Sequence, residues 1–186
     1  MHSVVKLTRN LVFFVLIMLF CNAAWAQLPT AIAKTSLGFL TGIPVGKSTD
    51  RYINGYGLSL KSERNIAKSL NIIGSVGYMT FRYRDDIKKR LENLGEDVHV
   101  DGVVPITIGG RYYFAGIYYA ALEAGTAITI GDQITTSFSY APGIGVYLPF
   151  STRYGADIGL KYERWRRSSG EVSFVGIRFA FALSTP

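Results

Sequence analysis

From Gln27 onward the chain has no apolar stretch of 18 or more residues, so nothing there can cross a bilayer as a helix. What repeats instead, eight times, is a block of ten or more residues in which large apolar side chains alternate with small or polar ones. Gly, Pro, Asn, Asp or Ser separates the blocks, and period two between such breakers is the pattern of strands and turns. The blocks are Lys34 to Ile43, Tyr52 to Lys61, Leu70 to Tyr83, Val103 to Phe114, Ile117 to Ile130, Thr136 to Leu148, Tyr154 to Trp165 and Val172 to Leu183. In the first, Leu37, Phe39, Thr41 and Ile43 oppose Ser36, Gly38, Leu40 and Gly42. In the last, Val175, Ile177, Phe179, Phe181 and Leu183 oppose Gly176, Arg178, Ala180 and Ala182. The third admits two phases, because Ile72 and Ile73 are both apolar; the reading adopted puts Ile72, Gly74, Val76 and Tyr78 outward.

Alternation alone does not say which face meets water. Three features favour lipid outside and a polar interior. Blocks of about ten residues match a tilted strand crossing a bilayer. Aromatics cluster near block ends, as an interfacial girdle does: Tyr112, Tyr113, Phe114, Tyr118 and Tyr119 at one turn, Tyr147, Phe150 and Tyr154 at another. Glycine is dense on the polar face, which suits the narrow inside of a small barrel. An even strand count lets the last strand meet the first antiparallel, leaving no sheet edge. The expected fold is all-β: an eight-stranded antiparallel up-and-down transmembrane β-barrel. With the chain entering from the periplasmic side, the inner turns are Ser62 to Ser69, Ala115-Gly116 and Pro149 to Arg153. The outer loops are Pro44 to Arg51, Arg84 to Gly102, Gly131 to Thr135 and Arg166 to Glu171. The longest connection falls outside, as such barrels require.

The first 26 residues differ in kind. Lys6 and Arg9 precede an apolar run from Leu11 to Phe20, and Ala24-Trp25-Ala26 follows, which is the layout of a cleaved signal peptide. Residues 1–26 are therefore expected to be removed, leaving 27–186 as one barrel domain; a retained anchor helix and a lipid-modified Cys21 are the alternatives. Cys21 is the chain's single cysteine, so the remaining residues hold neither a disulfide nor a thiolate metal site. Loss of Lys6 and Arg9 takes the formal charge from +7 to +5. The basic residues are scattered and form no stripe, which argues against nucleic acid as a partner.

From Lys34 to Leu183 the chain resembles the small outer-membrane β-barrel families of the OmpA-transmembrane-domain and OmpX type. The segments Pro105-Ile-Thr-Ile-Gly-Gly-Arg-Tyr-Tyr-Phe114 and Tyr119-Ala-Ala-Leu-Glu-Ala-Gly125 are similar to strands of the porin-like "outer membrane protein beta-barrel domain" group. Such barrels commonly finish on an aromatic residue, whereas this sequence continues past Phe181 to Leu183-Ser-Thr-Pro186. The resemblance implies a bacterial outer-membrane location, with outer-membrane lipid and lipopolysaccharide as partners, and no cofactor.

Alternation directs Lys61, Arg111, Glu123, Asp157, Lys161, Glu163 and Arg178 inward. Four bases against three acids suit a paired, structural network and not a filter of one sign, because charge away from bulk water must be paired or hydrogen-bonded. A three-residue turn between Phe114 and Tyr118 would set Arg111 diagonal to Glu123, within reach. Catalytic inventory is thin. His99, in a loop, is the only histidine after residue 26, and no Gly-x-Ser-x-Gly or zinc-spaced cluster accompanies it. The loop from Arg84 to Gly102 carries Ile87, Leu91 and Leu94 at helical spacing, with aspartates ahead and Gly95 behind, so a short rim helix is expected there, and with it an extracellular partner surface. Glu96, Asp97 and Asp101 lack the spacing of a calcium loop. Three functions remain open: a non-enzymatic envelope or surface-contact barrel with a filled lumen, a soluble exported barrel holding an apolar ligand, and a narrow small-solute channel.

Overall fold

In the computed structural model the described residues are 33–93, 102–131, 134–168 and 170–185. The expected signal peptide, His99, Glu96, Asp97 and Asp101 lie outside them. Eight strands follow one another around a closed barrel: β1 Ala33–Pro44, β2 Tyr52–Ala67, β3 Leu70–Tyr83, β4 Gly102–Phe114, β5 Tyr118–Ile130, β6 Thr135–Pro149, β7 Tyr154–Arg167 and β8 Gly170–Thr185. Every neighbour pairs antiparallel. β1 and β8 close the seam from Ala33 opposite Thr185 to Pro44 opposite Phe174, so no edge is left with unpaired backbone groups.

The two faces of the wall have opposite chemistry. Leu37, Leu58, Ile108, Leu122, Ile144 and Phe179 all point out and stay about half exposed or more. Fully burying one such side chain stabilises by about 1.5–3 kcal/mol, so a barrel sheathed in them belongs in hydrocarbon and not in water. Along β5 the outward residues from Tyr118 to Ile128 make up the body of this sheath, with Ile130 exposed at the strand's end. At about 3.3 Å per residue and a tilt of about 40°, that stretch stands about 25 Å tall, the height of the apolar band of a membrane barrel. On β7 the band ends where Tyr162 gives way to Arg164, whose guanidinium pairs with Glu171 at 2.6 Å. A soluble barrel with an apolar interior would need Leu122 and Ile177 inside. Leu122 is 61 % exposed and the buried interior is charged, so that alternative is overturned.

The third strand takes the expected phase, with Ile72, Val76 and Tyr78 out and Ile73 in. Two expectations need correction. The inner turn between β2 and β3 is not Ser62 to Ser69: β2 runs on to Ala67, and only Lys68 and Ser69 turn the chain. From Ser62 to Asn65 both faces of β2 are polar (Ser62 and Arg64 out, Glu63 and Asn65 on the other face), so the apolar alternation that reveals a strand is interrupted while the hydrogen-bonded ladder to β3 continues. The girdle is likewise split. Tyr118, Phe150 and Tyr154 are exposed, but Tyr113, Tyr119 and Tyr147 point into the lumen, since consecutive strand residues face opposite ways. The β4–β5 turn is tight because Ala115 and Gly116 both take positive φ, 49° and 82°. On the outer side a 3-10 turn, Gly46–Asp50, packs against β8, with Ser48 Oγ accepting from Ser173 N–H at 2.8 Å. The rim helix α1 spans Asp85–Asn93, with Asp85 and Asp86 in its first turn, where the helix dipole favours acid.

Candidate functional site: a layered lumen beneath an outer cup

All seven residues assigned inward by alternation line the lumen, and six of them are fully buried. Lys161, partly exposed, places Nζ 2.5 Å from Glu163 Oε2. Two further charges join them, Lys34 and Glu63, both buried. Sequence reading could have found both, because Lys34 is in phase with Ser36 and Glu63 with Lys61.

Arg111 is the hub. Its Nη1 reaches Glu63 Oε2 on β2 at 2.8 Å and Asp157 Oδ2 on β7 at 2.7 Å, and its guanidinium lies 3.8 Å from the centre of the Tyr119 ring. Tyr119 donates its hydroxyl to Asp157 Oδ1 at 2.7 Å. Glu63 also receives Asn71 Nδ2 and lies 3.3 Å from Lys34 Nζ. Glu123 takes Lys61 Nζ at 2.6 Å, with Thr107 and Ser75 hydroxyls on its second oxygen at 3.0 and 3.1 Å. The expected Arg111–Glu123 contact is therefore replaced. Glu123 sits opposite Gly109, two positions from Arg111 and diagonal as predicted, but each side chain prefers a partner across the lumen. In an eight-stranded barrel the bore is narrow enough for long side chains to span it. Arg178 is the least paired cation: its Nη1 is 3.9 Å from Asp157 Oδ2, and its other nitrogens donate to Ser59 Oγ and to Ser36.

Apolar layers flank this polar middle on both sides. Toward the outside, Phe81, Trp165 and Phe174 touch in a triangle with ring centres 5.1 to 5.6 Å apart, backed by Leu40, Met79 and Val103. Trp165 donates Nε1 to Glu163 Oε1 at 2.6 Å, tying that layer to the charges below. Toward the inside, Tyr113, Tyr119 and Tyr147 form a second layer with Ala182. Lys34 Nζ lies over the rings of Tyr113 and Tyr147, 4.5 and 4.2 Å from their centres, a cation–π placement. Tyr147 overlies Gly155, and Tyr119 overlies Gly145; a Cβ at either glycine would collide with the tyrosine ring, so the inner face needs no side chain there. Alternation puts the three tyrosines on the inward face, but that they and the outer rings form layers is not legible in it.

Above the Phe81 and Trp165 rings the mouth opens into a cup of about 560 Å³ with Arg51, Arg167 and Glu171 at its rim. A neighbouring recess adds Lys47, Asp50 and Arg166. Among the described residues no group of three or more His, Cys, Asp or Glu side chains is placed to hold a metal ion.

No protein-family model matches the chain. Nor does any curated protein match it in sequence. Solved structures do match in shape. OprG of Pseudomonas aeruginosa, an outer membrane protein, is 11% identical with a TM-score of 0.57, covering 86% of this chain and 99% of that one. The outer membrane protein Ail of Yersinia pestis, in a phospholipid bilayer nanodisc, is 12% identical with a TM-score of 0.53, covering 83% and 99%. Neisserial surface protein A is 12% identical with a TM-score of 0.52, covering 82% and 97%. At these identities the likeness is one of fold, and the fold is that of small outer-membrane barrels.

Proposed function

We propose that the chain is a non-enzymatic protein of the bacterial outer membrane, exported by residues 1–26 and anchored by a barrel whose lumen is a structural plug. The observation that carries this reading is the stacking of the interior. Ion pairs that cross the bore are capped outside by Phe81, Trp165 and Phe174 and inside by Tyr113, Tyr119 and Tyr147. An interior committed to holding the wall together leaves surface contact to the outer loops. The outer rim supports that division of labour: Lys47, Arg51 and Arg166 are exposed there, and cations at headgroup height suit the phosphates of lipopolysaccharide. The loop from Arg84 to Gly102, which begins with α1, is the second contact surface, toward an extracellular partner.

Fractionation of cells expressing the full chain tests this directly. The protein is expected in the outer-membrane fraction, shortened by 26 residues, and its gel mobility in detergent should change on heating. Recovery as a soluble periplasmic monomer would refute the proposal.

A further inference from the structure

Among the described residues the lumen holds five cations, the four bases assigned inward from the sequence and Lys34, against four carboxylates. Near the middle of the wall, against β5, β6 and β7, lies a void of about 20 Å³ lined by Lys61, Arg111, Lys161 and Arg178, with Glu123, Ala121 and the stretches Gly143-Ile144 and Gly159-Leu160. Two buried donors, Arg111 Nε and Arg178 Nη1, have no hydrogen-bond partner among the described residues. Both arginines are at least nine-tenths buried. A surplus charge with unmet donors in a low-dielectric interior is strongly unfavourable.

We infer that this void is a binding site for a small monatomic anion of chloride size, which neutralises the surplus cation and accepts from Arg111 and Arg178. A water there would satisfy the donors but leave the charge. The void exceeds the roughly 10–15 Å³ that one water-sized guest needs. It leaves no room for phosphate, sulfate or a carboxylate with its substituent. Arg178 is the cation the anion serves, because its nearest carboxylate oxygen stands 3.9 Å away, whereas Lys61, Arg111 and Lys161 each have one within 2.8 Å. The site rests on the charge-filled lumen alone and is independent of the outer-membrane location and of any surface partner.

Bromide provides the probe. Crystals of the detergent-folded protein grown in sodium bromide should show an anomalous peak in the void, bonded to Arg111 and Arg178; density there without anomalous signal, or none, would overturn the inference. In solution the thermal unfolding midpoint should rise with each tenfold step in sodium chloride relative to sodium gluconate at equal ionic strength, since only chloride fits. Equal midpoints in the two salts would also overturn it. Ala121→Asp, which supplies a carboxylate at the void, and Arg178→Met, which removes the surplus, should each abolish the chloride dependence. Persistence of that dependence in Ala121→Asp would place the anion elsewhere and contradict the assignment, even if Arg178→Met fails to fold.

Discussion

The two faces of the barrel wall are built from the same strands, residue by alternate residue, and they follow different rules. On the outer face Leu37, Ile108 and Leu122 meet only disordered hydrocarbon, so size and apolarity are all that is asked of them. On the inner face Arg111 must reach β2 and β7 at once, and Lys61 must reach β5. One face is specified by composition and the other by geometry. Tolerance to substitution should therefore differ sharply between neighbours in sequence.

The largest effect should come from the hub. Arg111→Met takes from Asp157 its nearest cation and leaves Glu63 with Lys34 alone, and breaking one side of a buried pair costs about 3–5 kcal/mol. Urea unfolding in detergent micelles should show a loss of that size; a loss below about 1 kcal/mol would place Arg111 among the tolerant positions. Next, Leu122→Arg puts a charge against lipid near mid-height of β5 and should cost about 2–4 kcal/mol. If it costs nothing, Leu122 does not face hydrocarbon. Third, Lys61→Met and Glu123→Leu should each destabilise, while the double variant loses less than their sum by about 1–3 kcal/mol, the signature of a direct pair in a double-mutant cycle. Strict additivity would dissolve the contact seen at 2.6 Å. The smallest effect should be Leu122→Val, within about 0.5 kcal/mol, because the outer face reads only apolarity.

How much of this was legible in the sequence follows the same division. Strand positions and the inward direction of the seven charges were readable because large apolar residues recur at alternate positions of the lipid face, as Leu37, Phe39 and Ile43 show on β1, whereas β3 admitted two phases because Ile72 and Ile73 are both apolar. Lys34 and Glu63 escaped although in phase with Ser36 and Lys61, because the outward residues beside them, Thr35, Ser62 and Arg64, are polar and carry no lipid-face signal. For Tyr113, Tyr119 and Tyr147 two signals conflict: alternation puts them inward, where the structure has them, while their place near turns suggests a girdle, because aromatics belong both to girdles and to lumen layers. The partners of Arg111 were beyond reach in principle. Neighbour rules on a sheet suggest Glu123, but which side chains meet across the bore is set by closure of β1 onto β8, a property of the whole chain.

The proposed plug would fill the lumen and cap it at both ends. Single-channel recording of the unmodified protein in planar bilayers tests that most directly. A baseline without stepwise conductance is predicted at all voltages the membrane survives, and unitary current steps that scale with salt and change on neutralising Arg111 or Arg178 would contradict it.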